Sequence, residues 1–226
     1  MKTACKWLEN RRALPLLIAL VSLMLFPPLL NESKFAGLCF GLVMLVTMFT
    51  AIYAMAEKRH FKIVVIASLA TCVGILLNVF TDSLVVEFLE PVLNIVSLSI
   101  ILAITLHHSL SSEIVDRDRI YAVVAGYLML GIIWAYLYGI VEVLAPGSFN
   151  MGSDWQIDDA GESKVKLLYF SFVTLTTLGY GDVSPALPFA QSLAVLEAAT
   201  GILYIAVLVA SLVGQVRRPE IPGSRG

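Results

Sequence analysis

The stretch Tyr169-Phe-Ser-Phe-Val-Thr-Leu-Thr-Thr-Leu-Gly-Tyr-Gly-Asp182 decides how this chain is to be read. It begins apolar and ends in Thr177-Leu178-Gly179-Tyr180-Gly181, where two glycines flank a single residue. Glycine reaches backbone angles closed to other residues, so an extended segment with this spacing can aim successive carbonyls to one side. The run 163–176 in front of it is predicted to be a short helix, and residues 177–185 a Gly-rich turn. A crossing helix needs about 20 apolar residues, which that run does not supply. A short helix entering a membrane and a loop leaving it fits. Such backbone is tolerated only where it is buried in protein or lines a water-filled cavity.

Working outward, the composition agrees. The chain has 226 residues, net charge −2, 58% hydrophobic and only 14% charged residues. Soluble domains carry about 25% charged residues, so too few are present here to cover a surface in water. A disordered chain, a nucleic-acid binder and a secreted disulfide scaffold are excluded on the same ground. Six apolar segments are each predicted to span a membrane: 13–30, 35–56, 61–80, 84–106, 121–144 and 189–214. The first is expected to end early at Pro27-Pro28. Between the fifth and sixth lies a polar, acidic loop, 145–162, and then the quoted stretch. The expected fold class is an all-α membrane protein with six transmembrane helices and a re-entrant helix and loop between helices five and six.

The basic residues set the orientation. Twelve of them (Lys2, Lys6, Arg11, Arg12, Lys58, Arg59, Lys62, Arg117, Arg119, Arg217, Arg218 and Arg225) fall on one side of this topology. Lys34, Lys164 and Lys166 fall on the other. The positive-inside rule then puts both termini in the cytoplasm of a multi-pass protein of the cell membrane. The N-terminal basic cluster and apolar run are similar to a signal peptide, but no small-x-small cleavage site follows, so a retained first helix is expected. Cys5, Cys39 and Cys72 show no CxxC or Cys/His spacing, and the last two read as small packing residues.

Carbonyls aimed inward from several chains around one axis can replace the water shell of a cation, and the Thr177 hydroxyl can add a ring of oxygens at the inner end. The C-terminal end of the short helix would carry partial negative charge toward such an ion. The segment resembles the signature of the potassium-channel superfamily, whose selectivity filter is a ring of four TVGYG loops. Here Leu178 stands where the commonest form has Val. Thr176 and Asp182 match the wider pattern, and Tyr169 and Phe170 match positions where that family sets aromatics around the filter. The resemblance covers about 121–214.

It implies a potassium-selective channel assembled as a homotetramer in membrane lipid, with K⁺ as the permeant ion. No cofactor, no further metal, no nucleic-acid partner and no enzymatic activity are expected. Thr177, Leu178, Gly179, Tyr180 and Gly181 would form the filter, with Thr176, Asp182 and Glu197 as its support. The corresponding domains are a four-helix N-terminal unit, 1–118, a pore domain with outer helix, pore helix, filter and inner helix, 119–216, and a short cytoplasmic tail, 217–226. A weakly selective cation channel and a non-conducting subunit that keeps the pore fold remain the alternative readings.

Six helices with the loop between the last two look like the voltage-gated layout. A voltage sensor needs a series of Arg or Lys in the fourth helix. Residues 84–106 contain none, and Glu87 and Glu90 lie near the outer end. The first four helices are therefore expected to form a packing or regulatory shell. Glu197 sits inside the sixth segment, where a carboxyl must be paired, protonated or wet. It is expected to hydrogen-bond the pore helix and steady the filter. Gly201 aligns with the family's gating hinge, and close helix packing by a small residue explains it equally well. Four copies of Asp182 would ring the outer mouth and attract cations. Asp154, Asp158, Asp159 and Glu162, opposed by Lys164 and Lys166, read as a solvated polar loop. Arg117 and Arg119 with Asp116 and Asp118 likewise read as a solvated link. His107 and His108, as sequence neighbours, do not share a helix face and make no metal site.

Overall fold

The computed structural model describes residues 13–29, 34–54, 61–81, 83–111, 117–151 and 160–216. Cys5, Lys2, Lys6, Arg11, Arg12, Lys58, Arg59, Asp116, Asp154, Asp158, Asp159 and the 217–226 tail lie outside the described residues.

Seven helices make up the described chain: α1 (Ala13–Leu29), α2 (Lys34–Ala54), α3 (Phe61–Phe80), α4 (Leu84–Ser111), α5 (Arg117–Leu144), α6 (Ala160–Leu175) and α7 (Pro188–Val216). Among the described residues, the one departure from an all-helical fold is a two-residue ladder. β1 (Phe149–Asn150) pairs antiparallel with β2 (Ser184–Pro185), Phe149 opposite Pro185. It ties the C-terminal end of α5 to the segment that leads into α7, and the Ala186 N–H donates to the Ser148 carbonyl at 2.8 Å beside it.

Four of these helices are long and apolar enough to cross a membrane, over Phe61–Asn78, Val85–His107, Arg117–Leu144 and Pro188–Ser211. The described apolar stretches of α1 and α2, Ala13–Leu25 and Gly41–Ala54, are shorter. α6 has 16 residues, which at 1.5 Å per residue is about 24 Å, less than the roughly 30 Å hydrocarbon thickness. The early end expected for α1 is corrected, because its helix carries Pro27 and Pro28 in the last turn and stops at Leu29. A proline pair there removes two hydrogen bonds to the preceding turn and no later turn depends on them.

The helices pack in a chain of neighbours. α1 lies against α2 and α5, α3 against α4, α4 against α5, α5 against α6, and α6 against α7, while α2 also reaches α3 and α6. One hydrophobic cluster runs through all but α7. It holds Leu16, Leu20 and Leu23 of α1, Met44 and Met48 of α2, Leu98 and Ile101 of α4, Met129 and Ile132 of α5 and Leu168 of α6. Their spacing of three and four puts each set on one helix face. The first four helices thus share a core with α5 and α6.

Polar groups pin the seams between helices. The Thr71 and Ser97 hydroxyls meet at 2.7 Å between α3 and α4, and the Ser97 hydroxyl lies 2.9 Å from the Ala67 carbonyl. Side-chain hydrogen bonds of this kind hold apolar helices together where water exclusion cannot. At the start of α5, Asp118 accepts the Ala13 N–H of α1 at 2.8 Å, and Arg119 is buried. Asp118 and Arg119 are therefore structural, not part of a solvated link. An unsatisfied N–H at a helix start needs an acceptor, and a carboxylate there also suits the helix dipole.

Candidate functional site

The Gly-rich segment begins where α6 ends. The Leu178 N–H donates to the Val173 carbonyl at 2.9 Å, and the Thr177 N–H to the Thr174 carbonyl at 2.9 Å. These are the two bonds of a Schellman motif, which closes a helix by putting the next residue in the left-handed region. That residue is Thr177, with φ 58°. Gly179 follows at 62° and Gly181 at 81°, while Leu178 and Tyr180 keep negative φ. In an ordinary strand successive carbonyls point to opposite sides. Reversing the sign of φ at every second residue turns the peptide planes alike and lines the carbonyls along one side.

The two glycines were expected to permit this. Thr177 was not, because a β-branched residue with positive φ is an outlier. Its strain, on the order of 1–3 kcal/mol, is of the kind stored at functional sites. Leu178 and Tyr180 are exposed in the single chain.

The flanking residues take up places around this loop. The Thr176 hydroxyl donates back to the Phe172 carbonyl at 2.6 Å. The Tyr169 hydroxyl donates to Asp182 Oδ2 at 2.7 Å, bridging the helix before the loop to the residue after it. That bond holds the Asp182 carboxyl below the ordinary carboxylate range. Phe170 is buried in an aromatic cluster with Tyr138 and Phe149, its ring centroid 5.1 Å from the first and 5.4 Å from the second.

Glu197 is where three helices meet. Its carboxyl is fully buried. It accepts a hydrogen bond from the Tyr138 hydroxyl of α5 and contacts the Ser171 hydroxyl of α6. Ser171 Oγ also lies 2.7 Å from the Gly131 carbonyl of α5, and its one hydrogen serves one of these two oxygens at a time. Sequence reading reached Glu197 but neither partner. Both are ordinary residue types on apolar helices, and only the packing brings them to the carboxyl.

Gly201 and Tyr204 continue the same face of α7, at the i, i+4, i+7 spacing that Glu197 starts. A Cβ on Gly201 would sit 2.3 Å from the Leu175 carbonyl at the end of α6. The same carbonyl accepts the Tyr127 hydroxyl at 3.2 Å. Tyr204 donates to the Val123 carbonyl at 2.7 Å, and a Cβ on Gly126 would come within 2.5 Å of its hydroxyl. Tyr127 and Tyr204 were not anticipated. The small residue at 126, placed to admit a tyrosine from a helix far along the chain, is a signal visible only with the structure.

The lysines before the loop also differ from expectation. Lys164 pairs with Glu90 of α4 at 2.6 Å, and Lys166 is buried. They belong to α6 and its packing, not to a solvated loop.

Residues 122–218 match the family model described as ion channel. The matched segment holds α5 beyond its first turn, α6, the Gly-rich loop and α7. The match supports an ion channel. No curated protein matches the chain.

Two outcomes are expected. Gly201→Ala forces a methyl against main-chain oxygen, which cannot give way as a side chain can, and should lower stability by about 1–3 kcal/mol. Unfolding of the purified protein in mild detergent measures this, and a wild-type stability would refute the close contact. Asp182 should titrate below the ordinary carboxylate range, and Tyr169→Phe should move its titration upward, as read by carboxyl ¹³C NMR. The sign follows from the lowered value: the Tyr169–Asp182 bond contributes at neutral pH and is lost as pH falls through the native-state pKa.

Proposed function

We propose that this protein is a potassium-selective channel in which four chains surround one pore and K⁺ passes down its electrochemical gradient. The observation that carries the reading is the run of left-handed residues at Thr177, Gly179 and Gly181 directly after a short helix. Four such loops around an axis supply stacked rings of carbonyl oxygen that take the place of the hydration shell of K⁺. The Thr177 hydroxyls add the innermost ring. The carboxyl end of α6 brings partial negative charge toward an ion below the filter. Asp182 is ionised at neutral pH, and four copies concentrate cations at the outer mouth.

The exposure of α7 supports the assembly. Only 11% of its Pro188–Ser211 stretch is buried, against 33–44% for the other three long apolar helices. Leu178, Tyr180, Val195, Ile202, Leu203 and Val207 are all exposed in the single chain. A loop and inner helix this bare suit neighbouring copies on one side and a water-filled pore on another. In this reading the membrane is crossed six times with both termini cytoplasmic, α6 is the re-entrant pore helix, and residues 119–216 form the pore domain behind a four-helix unit, 1–118. Glu197 joins outer helix, pore helix and inner helix, and so steadies the filter. Gly201 brings the inner helix against the end of the pore helix at the level where a hinge would act.

Vesicles holding the purified protein should release K⁺ and not Na⁺, and Tyr180→Val should abolish the selectivity. Equal K⁺ and Na⁺ release would refute a selective filter, and no release, with no K⁺- or Ba²⁺-dependent shift in melting, would refute the channel. Glu197→Leu removes the acceptor of the buried Tyr138 hydroxyl, a change worth about 1–3 kcal/mol. It should make K⁺ release fade in K⁺-free buffer while the wild type persists. Unchanged persistence would refute the support role.

A further inference from the structure

The charge pair at the outer end of α4 has no part in the reading above. α4 occupies the fourth place among the helices, yet its Leu84–Ser111 sequence holds no Arg or Lys. Of its two glutamates, Glu87 is exposed and Glu90 only 3% exposed. Glu90 is fully engaged. Asn94 Nδ2 donates to its Oε1 at 2.8 Å and to its main-chain carbonyl at 2.9 Å, and Lys164 donates to its Oε2 at 2.6 Å. A buried carboxylate stripped of its cation is strongly unfavourable, so the pair holds the outer part of α6 against α4.

Lys164 is about two turns before Ser171 on α6, and the left-handed loop starts at the far end of the same helix. α6 is therefore held at three levels: by Lys164 to Glu90, by Ser171 to Glu197, and by the Leu175 carbonyl to Tyr127 and Gly201. α2 packs on its side. A helix restrained along its length starts the loop that follows it from a fixed position, and loss of the Lys164–Glu90 tether removes the first of those restraints.

Resting on the channel reading, we propose that Glu90 is a positioning residue for the filter, acting through Lys164 and the pore helix. The first four helices are then the fixed support of that helix, in place of a moving sensor. The charge serves as an anchor, which gives the buried one of the two glutamates of α4 a structural use.

The test uses the full chain in vesicles, with K⁺ release followed during incubation in K⁺-free buffer and melting followed in parallel. Glu90→Gln and Lys164→Gln should each assemble and release K⁺ at first, then lose conduction about tenfold faster than wild type, a coupling within the range of contacting pairs. The exchanged pair, Glu90→Lys with Lys164→Glu, should recover most of the persistence, since Asn94 can turn its amide oxygen toward a cation. Wild-type persistence in both single variants would overturn the proposal. So would an exchanged pair no better than the singles, or one unable to assemble, which would make the pair a requirement of folding alone. Should the singles fail to assemble, the exchanged pair decides by the same readings. A wild type that passes no K⁺ and whose melting does not shift with K⁺ or Ba²⁺ would overturn the channel reading first, and this proposal with it.

Discussion

The structure turns on one carboxyl group buried where three helices meet. Glu197 of α7 takes the Tyr138 hydroxyl of α5 and meets the Ser171 hydroxyl of α6. Among apolar helices no general force selects one rotation or height over another, because lipid is as apolar as leucine. A carboxyl with no exposure removes that freedom, since any slide or rotation of α7 strands it without partners. Once α7 is registered there, Gly201 falls beside the Leu175 carbonyl and Tyr204 reaches the notch at Gly126, both on the same face. The loop after α6 therefore starts from a helix end whose position is determined on all sides.

That loop is the second constraint. α6 ends on bonds from the Leu178 and Thr177 N–H groups to the Val173 and Thr174 carbonyls, and closing them requires a left-handed residue at 177. The sign alternation begun at Thr177 is continued cheaply by Gly179 and Gly181. Helix end and loop are one device: the helix cap sets the phase, and the glycines keep it. The strain at a β-branched residue is carried by the surrounding contacts, among them the aromatic cluster of Tyr138, Phe149 and Phe170 and the Tyr169–Asp182 bond.

Much of this was legible in advance. The helices lie close to the apolar runs because a run of that length has few other conformations. The short helix before the loop begins at Ala160 and ends at Leu175, against the expected 163–176. Glu197 announced itself as a carboxyl in an apolar segment. The misreadings share a cause. Lys164, Lys166, Asp118 and Arg119 were assigned to solvated loops because charged residues usually are. A charge is drawn into a structure by a partner from elsewhere: Glu90 lies 74 residues from Lys164, and Ala13 lies 105 residues from Asp118. No local pattern records such distances.

The amino-acid sequence by itself determined that this is a chain of long apolar helices, where the short helix and its Gly-rich loop lie, and which residues of that loop can turn their carbonyls alike. Those are properties of residue type and spacing over a few turns, where hydrophobicity and backbone sterics decide. Only the tertiary structure decided which face of each apolar helix is buried, that Thr177 carries the first left-handed angle, that Tyr138, Ser171, Tyr127 and Tyr204 gather around Glu197 and the end of α6, and that Glu90 pairs with Lys164. A helix apolar on every side has no moment to orient it. Its rotation is chosen by a few buried polar groups and small residues that find one another across the fold.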